Sequence, residues 1–382
     1  MLVPNKESIE ITDGLQVVVP QSNALLTPFV LKEQGDWFED EIRFIRRLIQ
    51  TDMNIVDIGA NYGLYTLSSS LKASAGKVWA FEPTATVMEC LRESVSINGL
   101  NNVVLIQAGL SNRNGEAILA LNDNPELNSI QEAPTDDGMY ETITLKTLDD
   151  CAETYNWEQL DFIKLDAEGE ELRILEGAQS TLKRLSPIIM YELKHADAVN
   201  FSLIEQFEST GYQSYYLLPG PMVLRPFSKA DPVDSFQLNL FAIKNDSAEK
   251  LAARGLLVQN LDAPASQTLE DNVSENFWRQ SLEKKPFTQP FMDIWKTLAD
   301  KNRSDSVWQR YTAVLNLYTQ SCSGDATANQ RVSSLFHCDA ELRQLSSEVD
   351  AFSIRIMHTR ILFELGKREE AVHNLQHLIG VA

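Results

Sequence analysis

The stretch Asn54-Ile-Val-Asp-Ile-Gly-Ala-Asn-Tyr-Gly-Leu-Tyr-Thr66, followed by Val78-Trp-Ala-Phe-Glu-Pro83, constrains this chain more than any other part of it. Ile55, Val56 and Ile58 form a short apolar run that reads as a buried parallel strand, and Leu64 to Leu71 reads as the helix that follows it. Between them, Gly59 and Gly63 permit a tight turn and a close backbone approach. The first N–H groups and the dipole of the new helix point at whatever sits there. A second apolar strand, Lys77 to Phe81, ends in Glu82. A carboxylate about twenty residues past such a turn is where a doubly wound sheet grips the two hydroxyls of a ribose.

The glycine spacing narrows the nucleoside. A dinucleotide fingerprint has G-x-G-x-x-G, whose extra glycine lets the backbone close on a pyrophosphate; this chain has G-x-x-x-G, with Ala60 and Asn61 inside it. That spacing speaks against a nicotinamide oxidoreductase. A looser turn with Asn61 and an upstream Asp57 suits a ligand carrying an ammonium and a carboxylate, as the methionyl end of S-adenosyl-L-methionine does.

Elsewhere the chain alternates strand and helix. A small hairpin around Asp13-Gly14 within 1–34 precedes a covering helix, Asp36 to Ile49. After the glycine turn come helix Thr86 to Asn98, strand Val103 to Ala108, an irregular stretch from Ser111 to Met139, strand Glu141 to Leu145, helix Leu148 to Tyr155 and strand Asp161 to Leu165. Helix Glu171 to Arg184, strand Pro187 to Leu193, helix Phe201 to Thr210, strand Tyr212 to Leu218 and strand Gln237 to Ile243 follow, the last closing the sheet with an antiparallel edge. The fold class is therefore α/β, a mostly parallel sheet with helices on both faces, over 35–245. Residues 246–276, rich in Asp, Ala, Ser and Glu, read as a linker, and 277–382 as an all-α domain. Aromatic residues at helical spacing mark its start (Trp278, Phe287, Phe291, Trp295), and its final helices are Ala351 to Leu365 and Arg368 to Ile379. The Leu365-Gly366 junction with Glu369-Glu370-Ala371 behind it is similar to half of one tetratricopeptide repeat, a single unit where a stacked array needs at least about three.

Composition excludes some partners. With 382 residues, a formal net charge of -21 and 43% hydrophobic residues, the chain is globular, large enough for two domains, and repelled by phosphate backbones and anionic lipid. Four cysteines without C-x-x-C spacing suggest neither zinc nor a disulfide framework. The first twenty residues lack the order of a signal peptide, and no apolar run reaches membrane-spanning length, so the expectation is a cytoplasmic protein.

Chemistry concentrates in Asp161-Phe-Ile-Lys-Leu-Asp-Ala-Glu-Gly-Glu170, a strand ending in an acidic turn. Ligands of parallel sheets bind outside the carboxyl ends of strands, so Asp166 and Glu168 fall on the same rim as Gly59 and Glu82. The next strand brings Glu192 and His195 there. His195 and then Asp166 are the candidate bases, with Glu168 and Glu192 orienting acceptor hydroxyls. Oxygen ligands from Asp166, Glu168 and Glu192 would suit magnesium, but acids that start a helix need no metal, and none is assigned.

Val56 to Thr66, Phe81-Glu-Pro83, Thr147-Leu-Asp149, Asp161 to Ala178 and Tyr191-Glu-Leu193 resemble, in order and spacing, the FkbM-type S-adenosylmethionine-dependent methyltransferases over about residues 35–195. Tyr62 stands where that family often has Ile or Val. The resemblance implies a seven-stranded class I methyltransferase sheet and O-methylation of a sugar, glycan or natural product. By position it implies that Gly59 to Gly63 hold the methionyl part, Glu82 with Pro83 the ribose, Gln107 and Ala108 the adenine, and that Asp166 lies beside the methyl group. It is silent past Lys244, where the helical segment offers either self-association or a protein partner, and docking is the alternative function. The stretches Asn112 to Met139 and Leu218 to Asp234 are expected to shape the acceptor pocket.

Overall fold

The computed structural model describes residues 5–122, 124–131, 138–195, 198–230, 233–259, 304–322 and 326–380. The chain divides into two compact units, one of residues 1–216, 227–229 and 238–247, the other of residues 217–226, 230–237 and 248–382.

The first unit opens with an antiparallel hairpin, β1 (Lys6–Glu10) and β2 (Gln16–Pro20), turning at Thr12–Gly14. The rest of the segment 1–34 is not part of the hairpin, because Leu26–Gln34 is a helix, α1, ended by Gly35 in the left-handed conformation. The covering helix α2 spans Asp40–Leu48, with Asp40 and Glu41 in its first turn, Arg46 and Arg47 in its last, and Ile42, Phe44, Ile45 and Leu48 buried. Both charge groups complement the helix dipole. Next come β3 (Ile55–Ile58), α3 (Leu64–Lys72), β4 (Val78–Phe81), α4 (Ala85–Ile97) and β5 (Val103–Ile106).

The stretch expected to be irregular contributes two strands to a second sheet, whose β9 is the strand expected over Glu141 to Leu145. Strands β6 (Gly109–Leu110), β7 (Gly115–Leu121), β8 (Ser129–Gln131) and β9 (Met139–Lys146) pair in the order β6-β9-β7-β8, over a small core of Leu119, Ile143 and Leu145. Helix α5 (Leu148–Thr154) follows, its Thr147 side chain accepting from the Asp150 N–H at 3.1 Å, and then β10 (Phe162–Leu165). The single helix expected over 171–184 is two, α6 (Glu171–Glu176) and α7 (Gln179–Leu185). The break falls at Gly177, where a Cβ would stand 2.4 Å from the Ser111 carbonyl oxygen; the helix opens where another stretch of backbone presses on it.

Strand β11 (Ile188–Glu192), a short hairpin of β12 (Lys194–His195) and β13 (Ala198–Val199), α8 (Phe201–Ser209) and β14 (Gln213–Leu218) lead to β15 (Val223–Pro226), which belongs to the second unit, and to β16 (Asn239–Ile243). In the main sheet the strands of the first unit run β14-β16-β11-β10-β3-β4-β5. Strands β11, β10, β3, β4 and β5 are parallel, whereas β16 is antiparallel to both β11 and β14. The antiparallel strand is thus interior to the sheet, not its edge as expected. Helices cover both faces: Phe44 of α2 meets Phe241 with ring centroids 5.3 Å apart. Phe207 of α8 meets Tyr191 at 4.6 Å, and Tyr191 lies opposite Leu240, whose side chain points away from the face that carries Phe241. Six strands running one way, with β16 reversed between β14 and β11 and helical layers on both faces, make the seven-stranded, mostly parallel sheet expected of a class I methyltransferase.

In the second unit, residues expected to be linker form α9 (Asn245–Ala253), which begins in the first unit, and a bridge between Leu224 and Leu257. Residues 260–276, and the aromatic positions from Trp278 to Trp295, lie outside the described residues. Helices α10 (Ser306–Ser321), α11 (Ala328–Glu348), α12 (Phe352–Glu364) and α13 (Arg368–Leu378) follow, each packed on the next. A capping box, Thr327 with Gln330, starts α11. Among the described residues, no helix is long and apolar enough to cross a membrane.

Candidate functional site

Register places the chemistry. Ile58 of β3 lies opposite Phe81 of β4 and Leu165 of β10, and Leu165 lies opposite Tyr191 of β11. Gly59, Glu82, Asp166 and Glu192, each one residue further on, therefore emerge side by side from four adjacent strands. They line one cavity of about 260 Å³.

At one end of the cavity is the glycine turn. Gly59 has φ 72° and Gly63 φ 94°, and Asn61, at φ 49°, is of the residue type that best tolerates the left-handed region. A Cβ on Gly59 would lie 1.9 Å from the Asp166 carbonyl oxygen, so the turn is pressed against the acidic strand end. The amides of Gly59 and Ala60 donate to the Phe81 carbonyl at 3.1 and 2.9 Å. Glu82 is buried, accepting from the Asn61 N–H at 3.0 Å on one oxygen and from the Thr84 N–H at 2.8 Å on the other. Burial raises its pKa against those two donors. Each oxygen keeps a lone pair for a ligand hydroxyl. The Asn61 Oδ1 is buried without a hydrogen-bond partner, an acceptor facing a donor that the protein itself does not supply.

Ala60, Pro83 and Ala108 complete this end. Gln107, just past the end of β5, is exposed and, among the described residues, is not part of the lining. Asp57 is not in the lining either. It is buried beneath the turn, where the Thr66 hydroxyl donates to it at 2.5 Å and the Lys164 ammonium stands at 3.9 Å. It ties β3 to the first turn of α3 and faces β10.

At the other end, Asp166, Glu168 and Glu192 each bring a carboxylate oxygen within 4.8 Å of the other two. Burial, reinforced by the charges of Asp166 and Glu171, pushes the Glu168 carboxyl up to about 7. Burial, with Asp166 and Glu168 beside it, pushes Glu192 up to about 9. Such a trio can share protons or hold a divalent cation through oxygen. Glu168 also has φ 48°, an uncommon conformation for a residue of its type, just before Gly169 at φ 97°. The neighbouring acids have structural partners: Glu170 is buried, with the Ser111 hydroxyl and Arg173 both at 2.8 Å, and Glu171 accepts from the amides of Ala167 and Gly169 at 3.0 and 3.2 Å. The backbone of His195 lies in β12, but its side chain is outside the described residues.

Several lining residues carried no motif. Trp37, Phe38 and Glu39, just before α2, wall one side, and the Tyr65 hydroxyl donates to Glu39 at 2.5 Å. Thr84, Asn128 and Ile130 wall another, with the Asn128 amide donating to the Thr84 hydroxyl at 3.2 Å. Thr27, at the start of α1, donates to Glu126. The stretch 112–139 thus meets the cavity beside Glu82 and Ala108, the end that the resemblance gives to the cofactor. Among the described residues, none from 218–234 lines the cavity. Lys164, in the middle of β10, lines it from below.

Residues 57–214 match the family model described as the methyltransferase FkbM domain. Among curated proteins, the chain is 27% identical over 187 residues to Methyltransferase sdnD of Sordaria araneosa, covering 41% of this chain and 67% of that one. It is 28% identical over 155 residues to the hexuronic acid methyltransferase AglP of Haloferax volcanii, covering 40% and 61%. A solved structure, the methyltransferase FkbM from Methylobacillus flagellatus, aligns at 18% identity with a TM-score of 0.36, over 51% of this chain and 44% of that one. The glycine turn, Glu82 and the acidic strand ends all fall inside the segment, 57–214, that matches the FkbM methyltransferase domain.

Proposed function

We propose that this protein transfers a methyl group from S-adenosyl-L-methionine to a hydroxyl of a sugar, glycan or natural product. One observation carries the reading: a nucleoside-type turn with its carboxylate, and a trio of carboxylates, share a single cavity. The residues present fit the donor, since Glu82 has lone pairs to spare for ribose hydroxyls and the orphaned Asn61 Oδ1 suits an ammonium or hydroxyl. Gly59 to Gly63 and Ala108 would hold the rest.

When bound, the donor supplies an electrophilic methyl on a sulfonium. The protein then has two tasks, to hold the acceptor oxygen in line and to take its proton. Glu168 is the base. Its carboxyl, pushed up to about 7, is matched to neutral pH, whereas Glu192, pushed up to about 9, stays protonated there and donates a hydrogen bond to a neighbouring oxygen of the acceptor, orienting it. Asp166, paired with Lys164 at 2.9 Å, stands beside them. The hexuronic acid substrate in the name of the haloarchaeal relative supports a carbohydrate acceptor. All four cysteines are unpaired thiols, in keeping with a reducing cytoplasm.

Calorimetry with S-adenosylhomocysteine tests the donor site. The full chain is expected to bind it and Glu82→Ala to bind at least tenfold more weakly; no heat from the wild type sinks the reading. Labelled S-adenosylmethionine with a panel of hydroxylated glycans then identifies the acceptor.

A further inference from the structure

One ammonium is buried between the two ends of the cavity. Lys164 is the third residue of β10, a strand buried throughout, and its side chain is 7% exposed. The Nζ donates to the Gly59 carbonyl at 2.8 Å and stands 2.9 Å from Asp166 Oδ2, 3.9 Å from Asp57 Oδ1 and 5.5 Å from the centre of the Tyr65 ring. Charged and titratable groups face it from every neighbouring element: Asp57 at the end of β3, Glu39 before α2, Tyr65 in α3, Glu82 after β4, Asp166 and Glu168 after β10, and Glu192 at the end of β11.

Burying an ammonium is costly, and a whole buried ion pair can often be replaced by apolar side chains of similar volume without loss, although removing one partner alone strands the other charge. Packing therefore does not account for a lysine here. What a lysine does, and an apolar residue cannot, is bond the carbonyl of the glycine turn and the carboxylate of the acidic strand end with one group. We propose that Lys164 is a positioning residue that fixes the Gly59 turn against Asp166, so that the donor end and the acceptor end of the cavity keep a single spacing. The inference rests on the methyl-transfer reading, in which displacement of a donor by about 1 Å costs on the order of a hundredfold in rate.

The test compares S-adenosylhomocysteine binding, across pH, in the wild type, Lys164→Met and Lys164→Gln. The methionine variant is expected to lose at least tenfold in affinity, the glutamine variant, which can still donate to the Gly59 carbonyl, less. In both, the acidic limb of the binding profile is expected to move to higher pH, because the carboxylates lose the cation that favours their charge. A purely structural lysine would lower the melting temperature without moving that limb. A folded methionine variant that binds within twofold of wild type, with an unmoved limb, overturns the inference. A wild type that does not bind at all overturns the methyl-transfer reading instead. Should the methionine variant not fold, Asp166→Asn gives the same information by hydrogen exchange. Amides 59–63 are expected to exchange at least fivefold faster than in the wild type, and unchanged exchange overturns the inference.

Discussion

At the scale of single residues, the buried carboxylates carry a cost in stability. The folded pKa values of Glu168 and Glu192 lie above those of an unfolded chain, so between about pH 4.5 and those values the folded state binds more protons and stability falls as pH rises. Glu192→Gln removes that burden. It is expected to raise the melting temperature of the unliganded protein at pH 8, with the gain shrinking towards pH 4.5, as scanning calorimetry at both values would show; no gain at pH 8 would mean that Glu192 is not held neutral. Glu168→Gln belongs to the same scale. It should lower kcat by about a hundredfold to ten-thousandfold and abolish the rise in rate through about pH 7, read from initial rates across pH. The carboxylates were legible in the sequence because each ends a strand. Lys164 was not, yet a signal was there: Ile-Val-Asp-Ile and Phe-Ile-Lys-Leu are both buried strands interrupted by one charge, and the register sets Asp57 opposite Lys164.

At the scale of elements, Gly59 is the residue on which two strands depend. Gly59→Ala combines a disfavoured φ with a backbone clash, so it is expected to cost about 3 kcal/mol or more of stability, measured by denaturant unfolding, and to abolish S-adenosylhomocysteine binding. The strands that make this contact were legible from composition, since β3, β4 and β10 are buried throughout and bounded by turn residues. The second sheet was not. In β7 only Leu119 is buried and β8 has three residues, so neither has the alternation or the apolar run by which a strand is recognised; their pairing is set by distant partners such as Tyr140 and Ile143. The break between α6 and α7 is similar, for it depends on Ser111, far away in sequence.

At the scale of the whole molecule, the two units keep their own internal supports. In the second, Asp339 of α11 receives His358 of α12 at 2.8 Å and Lys367, just before α13, at 2.5 Å. Burial alone would raise that carboxyl, but the two partners outweigh it and hold it down to about 2. A depressed carboxyl contributes stability above its unfolded value that is lost as pH falls towards about 2, so acid is expected to loosen these three helices. Asp339→Ala should cost about 2 kcal/mol by thermal or denaturant melting while S-adenosylhomocysteine affinity stays at the wild-type value. The main sheet and the second sheet are related in a different way. Strands β6 and β9 pair in parallel, Gly109 opposite Leu145, so residues 109–146 leave the main chain path and return to it at neighbouring points. A segment whose two ends are already side by side can be exchanged for a longer or shorter one without shifting either strand that carries it. The wall beside Glu82 and Ala108 is therefore a replaceable insert on a fixed rim, and exchanging this one segment is expected to change the fit of the ligand at that end of the cavity while the strand ends keep their places.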